Sequence, residues 1–283
     1  MFVPLHIRVL NMLFRKNNNL NVNAKLSPPL SLSEISYISG IAENAIELHA
    51  TIDSTNTRAL SLASDGLKIT CILAEQQTAG RGKQGRSFFS PQRSGLYMSV
   101  IVRAPLSPDA CMLLTPYAAV AVAESLRAVS PADPKIKWVN DIYLNQKKIC
   151  GILTEPVFSS ETGLLAHAVI GIGINIAKQR FPEELRAIAS SVENECDCHV
   201  DRSRLAGEIL SRLKITSEDQ LRNCIPAYRK DQLLPGKEIT VYRGNESFPA
   251  TALDVTEDGA LLVRDQNGNV IPLFCGEVTI RQR

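Results

Sequence analysis

The chain has 283 residues, 45% of them apolar, and a formal net charge of +2. That composition can build a packed core and excludes a globally disordered chain. The near-neutral balance excludes a surface dominated by nucleic-acid or membrane binding, so any basic cluster is a local device. Cysteines at 71, 111, 150, 196, 198, 224 and 275 show no disulfide framework and point to a reducing, cytoplasmic compartment. No uninterrupted apolar run of about 18 residues occurs, so no transmembrane helix is expected.

The first 33 residues carry Arg8, Arg15, Lys16 and Lys25 and no acid. Residues 1–29 read as a loose N-terminal extension, with an organelle transit peptide as the alternative. Asn17, Asn18, Asn19 and Pro28-Pro29 mark a linker. Ser31 and Glu34 have capping-box spacing before Ile35 and Ile38, so a short helix starts there. Alternation over 46–52 predicts a strand. Asp53-Ser54-Thr55-Asn56 then forms an N-cap cluster for a helix that stops at Gly66. At such a strand-to-helix corner Ser54, Thr55 and Asn56 either cap the helix or meet a ligand beside its free N–H groups.

A strand over 69–74 delivers the stretch with most chemistry, Gly80-Arg81-Gly82-Lys83-Gln84-Gly85-Arg86. Its glycines let the backbone take positive φ and approach a ligand closely, while arginine and lysine supply charge. It reads as a clamp for phosphate or carboxylate; the alternative is a flexible basic surface loop. Phe88 is either a stacking face for a planar base or core. A strand over 95–102 follows, then one long apolar helix over 108–129 with a kink or break near Pro116. Two strand-like runs flank Asn140-Asp141, a tight turn. Lys137, Asp141 and Lys148 converge if these segments pair, and Trp138, the only tryptophan, either packs in the core or joins them. A strand from Leu164 runs into Gly171-Ile172-Gly173-Ile174-Asn175, which lacks the rest of a dinucleotide fingerprint. Asn175 either reads a base or ribose or caps a turn. Helices are predicted over 181–189, 202–213 and 217–230. Cys196-Asp197-Cys198-His199 has metal-ligand chemistry but no second ligand pair at zinc spacing. Beyond Pro235-Gly236, short alternating segments separated by Gly244-Asn245, Asp258-Gly259 and Asn267-Gly268 predict a small all-β barrel.

Taken in order, Asp53 to Asn56, Gly80 to Arg86, Lys137-Trp138-Val139-Asn140-Asp141 with Lys148 and Gly151, Gly171 to Asn175, and a β-rich tail ending in Gly276-Glu277 resemble the biotin protein ligase family. The resemblance runs from about Ile46 to the end. It implies an α+β fold: a mixed-sheet, class II synthetase-like catalytic domain over 30–233 and an SH3-like domain over 234–283. It implies that biotin and ATP, with Mg²⁺, give biotinyl-5′-AMP and pyrophosphate. A lysine of a biotin carrier domain, as in acetyl-CoA carboxylase or another biotin-dependent carboxylase, then takes the biotin. By family position Arg81, Lys83, Lys148 and Asp141 are catalytic. Ser54, Thr55, Asn56, Gln77, Gly80, Arg81, Lys148 and Gly151 surround biotin. Lys83, Arg86, Phe88, Asn140, Lys148, Asn175 and Arg281 contact ATP, and Lys137 is supportive.

Three positions depart from the family pattern: Val139 for proline, Phe88 for tryptophan and Lys83 for arginine. The stretch before Ile46 is shorter than the roughly 60 residues of a winged helix-turn-helix, so a monofunctional ligase without DNA binding is expected. A homodimer through sheet edges stays open. The alternatives are a lipoate or octanoyl ligase or transferase of related fold, and a non-enzymatic nucleic-acid binder.

Overall fold

The computed structural model describes residues 26–243, 246–274 and 277–280. Ser31 accepts from the Glu34 N–H and Gly40, at φ 65°, closes the turn, so α1 spans Leu32–Ser39. β1 (Ile46–His49) leads to α2 (Thr55–Ser64), whose N-cap is Ser54. β2 (Cys71–Ala74) and β3 (Gly95–Val102) flank the glycine-rich loop. α3 (Pro108–Cys111) and α4 (Leu114–Val129) follow, then β4 (Lys135–Lys137), β5 (Asp141–Leu144), β6 (Lys147–Phe158) and β7 (Leu165–Asn175). Five helices come next: α5 (Glu183–Arg186), α6 (Val192–Cys196), α7 (Arg202–Arg212), α8 (Glu218–Arg222) and α9 (Ile225–Lys230). The tail holds β8 (Glu238–Arg243), β9 (Glu246–Val255), β10 (Leu261–Asp265), β11 (Val270–Leu273) and β12 (Glu277–Ile280).

The first seven strands form one sheet in the order β1-β2-β3-β7-β6-β5-β4. β1 and β2 are parallel, joined through α2, and the remaining pairs are antiparallel, so the sheet is mixed. One face is buried under the main core, in which Leu73, Val100, Ile170 and Ile174 meet Ala118, Val122, Leu205 and Ile209. The other face is covered only in part. Ala59, Leu62 and Ala63 of α2 pack on Ile72, Ile101 and Val169. Beyond them the register sets Tyr97, Gly173, Gly151 and Asp141 in one row, and Ser99, Gly171 and Leu153 in the next. Side chains directly opposite across strands share a face, so two rows poor in side chains are left beside α2.

The tail strands pair antiparallel in the order β11-β10-β9-β8-β12 and make the SH3-like domain. Trp138 Nε1 donates to the Gly259 carbonyl at 2.9 Å and Arg229 pairs with Glu257 at 2.7 Å, docking this domain on the catalytic one.

Several predicted elements change. The helix over 108–129 breaks at Met112–Leu113, before Pro116, which sits in the first turn of α4 where no intrahelical N–H is needed. By composition Pro108–Val129 is long and apolar enough to cross a bilayer. It is instead a core segment, with Ala118, Ala119, Val122, Ala123 and Leu126 fully buried. The helix over 217–230 splits into α8 and α9 ahead of Pro226. The helix over 181–189 shrinks to α5, because 188–190 extends beside β6. The linker is anchored at its end: Ser27 N–H donates to the Arg93 carbonyl, and the Pro28 carbonyl accepts from Arg202 Nη2. Residues 1–25, Gly244-Asn245, Cys275-Gly276 and Arg281 lie outside the described residues.

Candidate active site

The half-covered face becomes a cleft. Its lining includes Ser54, Thr55, Asn56, Gln77, Arg81, Lys83, Arg86, Phe88, Asn140, Asp141, Lys148 and Gly151, together with Gly171 and Gly173. Thus three separate stretches of chain, the α2 corner, the loop and the β5–β6 hairpin, meet over β7.

The glycines of β7 provide room rather than unusual backbone. A Cβ on Gly171 would lie 1.9 Å from Asn56 Oδ1, and one on Gly173 would lie 2.5 Å from the Phe88 ring. The α2 corner and the Phe88 ring therefore rest directly on the sheet, with Phe88 edge-on to Tyr97 at a centroid distance of 6.5 Å. Burial pushes the Tyr97 phenol up, so it stays neutral beneath that ring.

At the α2 corner the polar groups form a chain. Gln77 Oε1 accepts from the Thr55 N–H at 2.9 Å and from its hydroxyl at 3.1 Å, while Gln77 Nε2 donates to Ser90 Oγ at 3.0 Å. Ser99 Oγ lies 2.6 Å from Asn56 Oδ1 and 2.8 Å from Thr55 Oγ1. Ser54, Thr55 and Asn56 are all buried and line the cleft, and Ser54 caps α2 as well. The second N–H of the Gln77 amide remains for a ligand acceptor. Ser90 and Ser99, which position Gln77 and Asn56, carried no signal in the sequence beyond their neighbourhood.

The glycine-rich loop is shaped by its own backbone. Gly82 N–H donates to the Arg86 carbonyl at 2.7 Å, and Phe88 N–H to the Gly80 carbonyl at 2.9 Å. Within the loop positive φ occurs at Gln84 and Gly85. Gly80 is small because a Cβ would meet the Phe88 carbonyl at 2.6 Å. Lys83 and Arg86 line the cleft. Arg81 does not stand alone there as a cation: its two Nη groups donate to both oxygens of Glu155, at 3.0 and 2.7 Å. Glu155 was absent from the sequence expectations.

Lys148 Nζ and Asp141 Oδ1 form an ion pair at 2.7 Å across the β5–β6 hairpin. The Lys148 N–H bonds the Ile188 carbonyl and its carbonyl accepts from Ser190 N–H, so the extended 188–190 stretch fixes this strand end. Asn140 Nδ2 bonds the Ile152 carbonyl. Lys137 and Trp138 stay out of the cleft. Lys137 Nζ lies 5.7 Å from the Tyr143 ring centroid, and burial with help from Asp141 pushes that phenol up to about 12. Asn175 is buried and outside the cleft lining, with Nδ2 on the Ser190 carbonyl at 3.2 Å and Oδ1 without a hydrogen-bond partner.

Among the described residues no group of three or more His, Cys, Asp or Glu could hold a metal, and His199 pairs with Glu193 instead. Asp141 is the acid in the cleft lining. One carboxylate and a neighbouring amide suit an Mg²⁺ ion held mainly by a nucleotide's phosphates, not an all-protein cage.

Comparison with known proteins follows the same residues. The model of the biotin/lipoate A/B protein ligase family matches 48–175. The bifunctional ligase/repressor BirA of Escherichia coli is 30% identical over 261 residues, covering 90% of this chain and 80% of that one. A biotin--[acetyl-CoA-carboxylase] ligase of Mycobacterium tuberculosis is 31% identical, over 90% of this chain and 97% of that one. Among solved structures, the biotin protein ligase from Aquifex aeolicus in complex with biotin and ATP shares the fold. Its TM-score is 0.67 at 23% identity, over 84% of this chain and 99% of that one.

Proposed function

The chain belongs to the biotin/lipoate A/B protein ligase family, and on that premise we propose how its cleft performs ATP-dependent biotinylation of a carrier protein. The enzyme is a biotin protein ligase. The observation that carries the reading is the meeting of the α2 corner, the basic loop and the Lys148–Asp141 pair over one glycine floor. The lipoate alternative shares the family model, but the Mycobacterium tuberculosis relative that covers 90% of this chain bears a biotin ligase name. The carrier that accepts the product is a biotin carboxyl carrier domain.

In the first step a carboxylate oxygen of biotin attacks the α-phosphorus of ATP, the bond to the bridging oxygen breaks, and pyrophosphate leaves. Two anions must approach, so fixed cations at the developing charge lower the barrier. Lys148 supplies one, and Lys83 and Arg86 supply others from the loop. Asn140 and Asp141 would help hold Mg²⁺, which would supply further charge neutralisation for the nucleotide's phosphates. Thr55 and Gln77 suit the ureido ring, whose donors and acceptors need partners inside an otherwise apolar pocket. Phe88 offers a face to adenine, and Asn175, two residues past Gly173 on the same face of β7, is the candidate nucleotide contact. In the second step the carrier lysine's amine attacks the acyl carbon, AMP leaves, and the amine proton passes to a base; Asp141 is the candidate. The loop covers the mixed anhydride between the steps and keeps water away. The scattered cysteines suit action in a reducing cytoplasm.

The test is pyrophosphate release from ATP with biotin, lipoate or octanoate supplied separately and no carrier. Release with biotin alone is expected; release with lipoate alone would refute the substrate. Lys148→Ala should slow biotin-dependent release by about 100-fold while the fold survives, and an unchanged rate would remove that assignment.

A further inference from the structure

We infer that Glu155 is a positioning residue: through a two-pronged bond to Arg81 it ties the glycine-rich loop to the sheet and so sets the grip on biotin. The inference rests on the reading of the cleft as a biotin site. It reassigns Arg81 from a phosphate cation to a strut.

Three segments converge on this one carboxylate. Arg81 Nη1 and Nη2 donate to Oε2 at 3.0 Å and Oε1 at 2.7 Å. Asn56 Nδ2 donates to Oε2 at 2.8 Å. Glu155 itself sits on β6, two residues past Leu153 and facing the same way as Gly151 and Leu153. Its neighbour across the ladder, Val169, belongs to the cluster under α2. Glu155 therefore stands where the covered part of the face ends and the cleft begins.

The loop needs such a tie. Its internal bonds, Gly82 to Arg86 and Phe88 to Gly80, give it a shape but not a tilt. Its base is pinned by Thr78 N–H to the Ile52 carbonyl and Ala79 N–H to the Asp53 carbonyl. Arg81 lies just beyond that base. A planar guanidinium on a planar carboxylate constrains direction as well as distance. The pair is partly exposed, with 41% of the Arg81 and 24% of the Glu155 side chain accessible. Solvent thus reaches a pair whose two hydrogen bonds are both formed. The same carboxylate orients Asn56, next to Thr55 and Gln77. One group thereby aligns two walls of the biotin end of the cleft.

The experiment compares Arg81→Gln, Glu155→Gln and the double variant on the full chain. If Arg81 works through Glu155, each single variant raises the biotin KM by about fivefold, the ATP KM holds, and the double is no worse than either single. In ligand-free protein, trypsin should cut after Arg81 faster in Glu155→Gln than in wild type. Glu155→Asp keeps the charge but shortens the reach, and should fall between wild type and Glu155→Gln; it also serves if the glutamine variant folds poorly. Three results overturn the inference while leaving the ligase reading intact: additive effects in the double variant, a loss in Arg81→Gln that sits in kcat or the ATP KM, or unchanged trypsin cleavage. Wild-type protein without biotin-dependent pyrophosphate release would overturn the reading and the inference with it.

Discussion

Asn56 and Gly171 show how one residue's chemistry depends on another's smallness. Gly171→Ala would drive a methyl into the Asn56 amide, which is held by Ser99 on one side and Glu155 on the other. Relief means losing at least one of those bonds, so stability should fall by about 2 kcal/mol and biotin kcat/KM should fall further. Denaturant melts and steady-state rates measure both, and a variant with wild-type kinetics would refute the contact. This part of the site was only partly legible. The motif glycines stood out in the sequence, yet their purpose depends on Asn56 and Phe88 arriving from elsewhere in the chain. Glu155 gave no signal at all, because nothing in Thr154-Glu155-Pro156 announces an arginine far upstream. Ser54, by contrast, was legible because capping is local: its Oγ accepts from the Thr57 N–H.

Among elements, local grammar read well and long-range pairing read poorly. The caps of α1 and α2 and the strands of the tail follow from residues within a few positions. The helix predicted over 181–189 is cut to α5 because β7 ends at Asn175 and leaves Lys148 without a neighbour on that side, which 188–190 fills by extending. Two links between elements are testable. Trp138→Phe removes the N–H donor to the Gly259 carbonyl and should cost about 1–3 kcal/mol, seen as a lower melting temperature; no change would show that the indole serves only as bulk. Glu47 joins β1 to α2 through Arg58, whose hydrogen bonds hold its carboxyl below the usual range. A carboxyl depressed in the folded state stabilises above its unfolded pKa, and that stabilisation is lost as pH falls through the depressed value. Glu47→Gln should therefore melt below wild type at neutral pH, with the gap closing as pH falls through the depressed value. A gap that persists in acid would assign the effect to packing.

At the scale of the molecule, the chain near residue 28 is part of the catalytic body. Glu75 accepts from the Leu30 N–H at 2.7 Å and from Arg202 at 2.7 Å, and Arg202 also reaches the Pro28 and Gly95 carbonyls. Glu75 and Arg202 are both buried, so stripping their partners leaves charged groups short of hydrogen bonds. A chain beginning at Leu26 should keep wild-type stability and ligation, whereas one beginning at Leu32 should lose about 2–4 kcal/mol; equal melts for the two would refute this. The glycine floor formed by Gly151, Gly171 and Gly173 has a consequence for how substrate range can change. These positions have no side chain left to trim. A side chain at Gly171 or Gly173 must displace Asn56 or Phe88, and one at Gly151 crowds Lys148, so replacements at the floor disturb the walls and add no room. Accepting a bulkier biotin analogue must begin in the walls or the loop, and a library confined to the floor should return none.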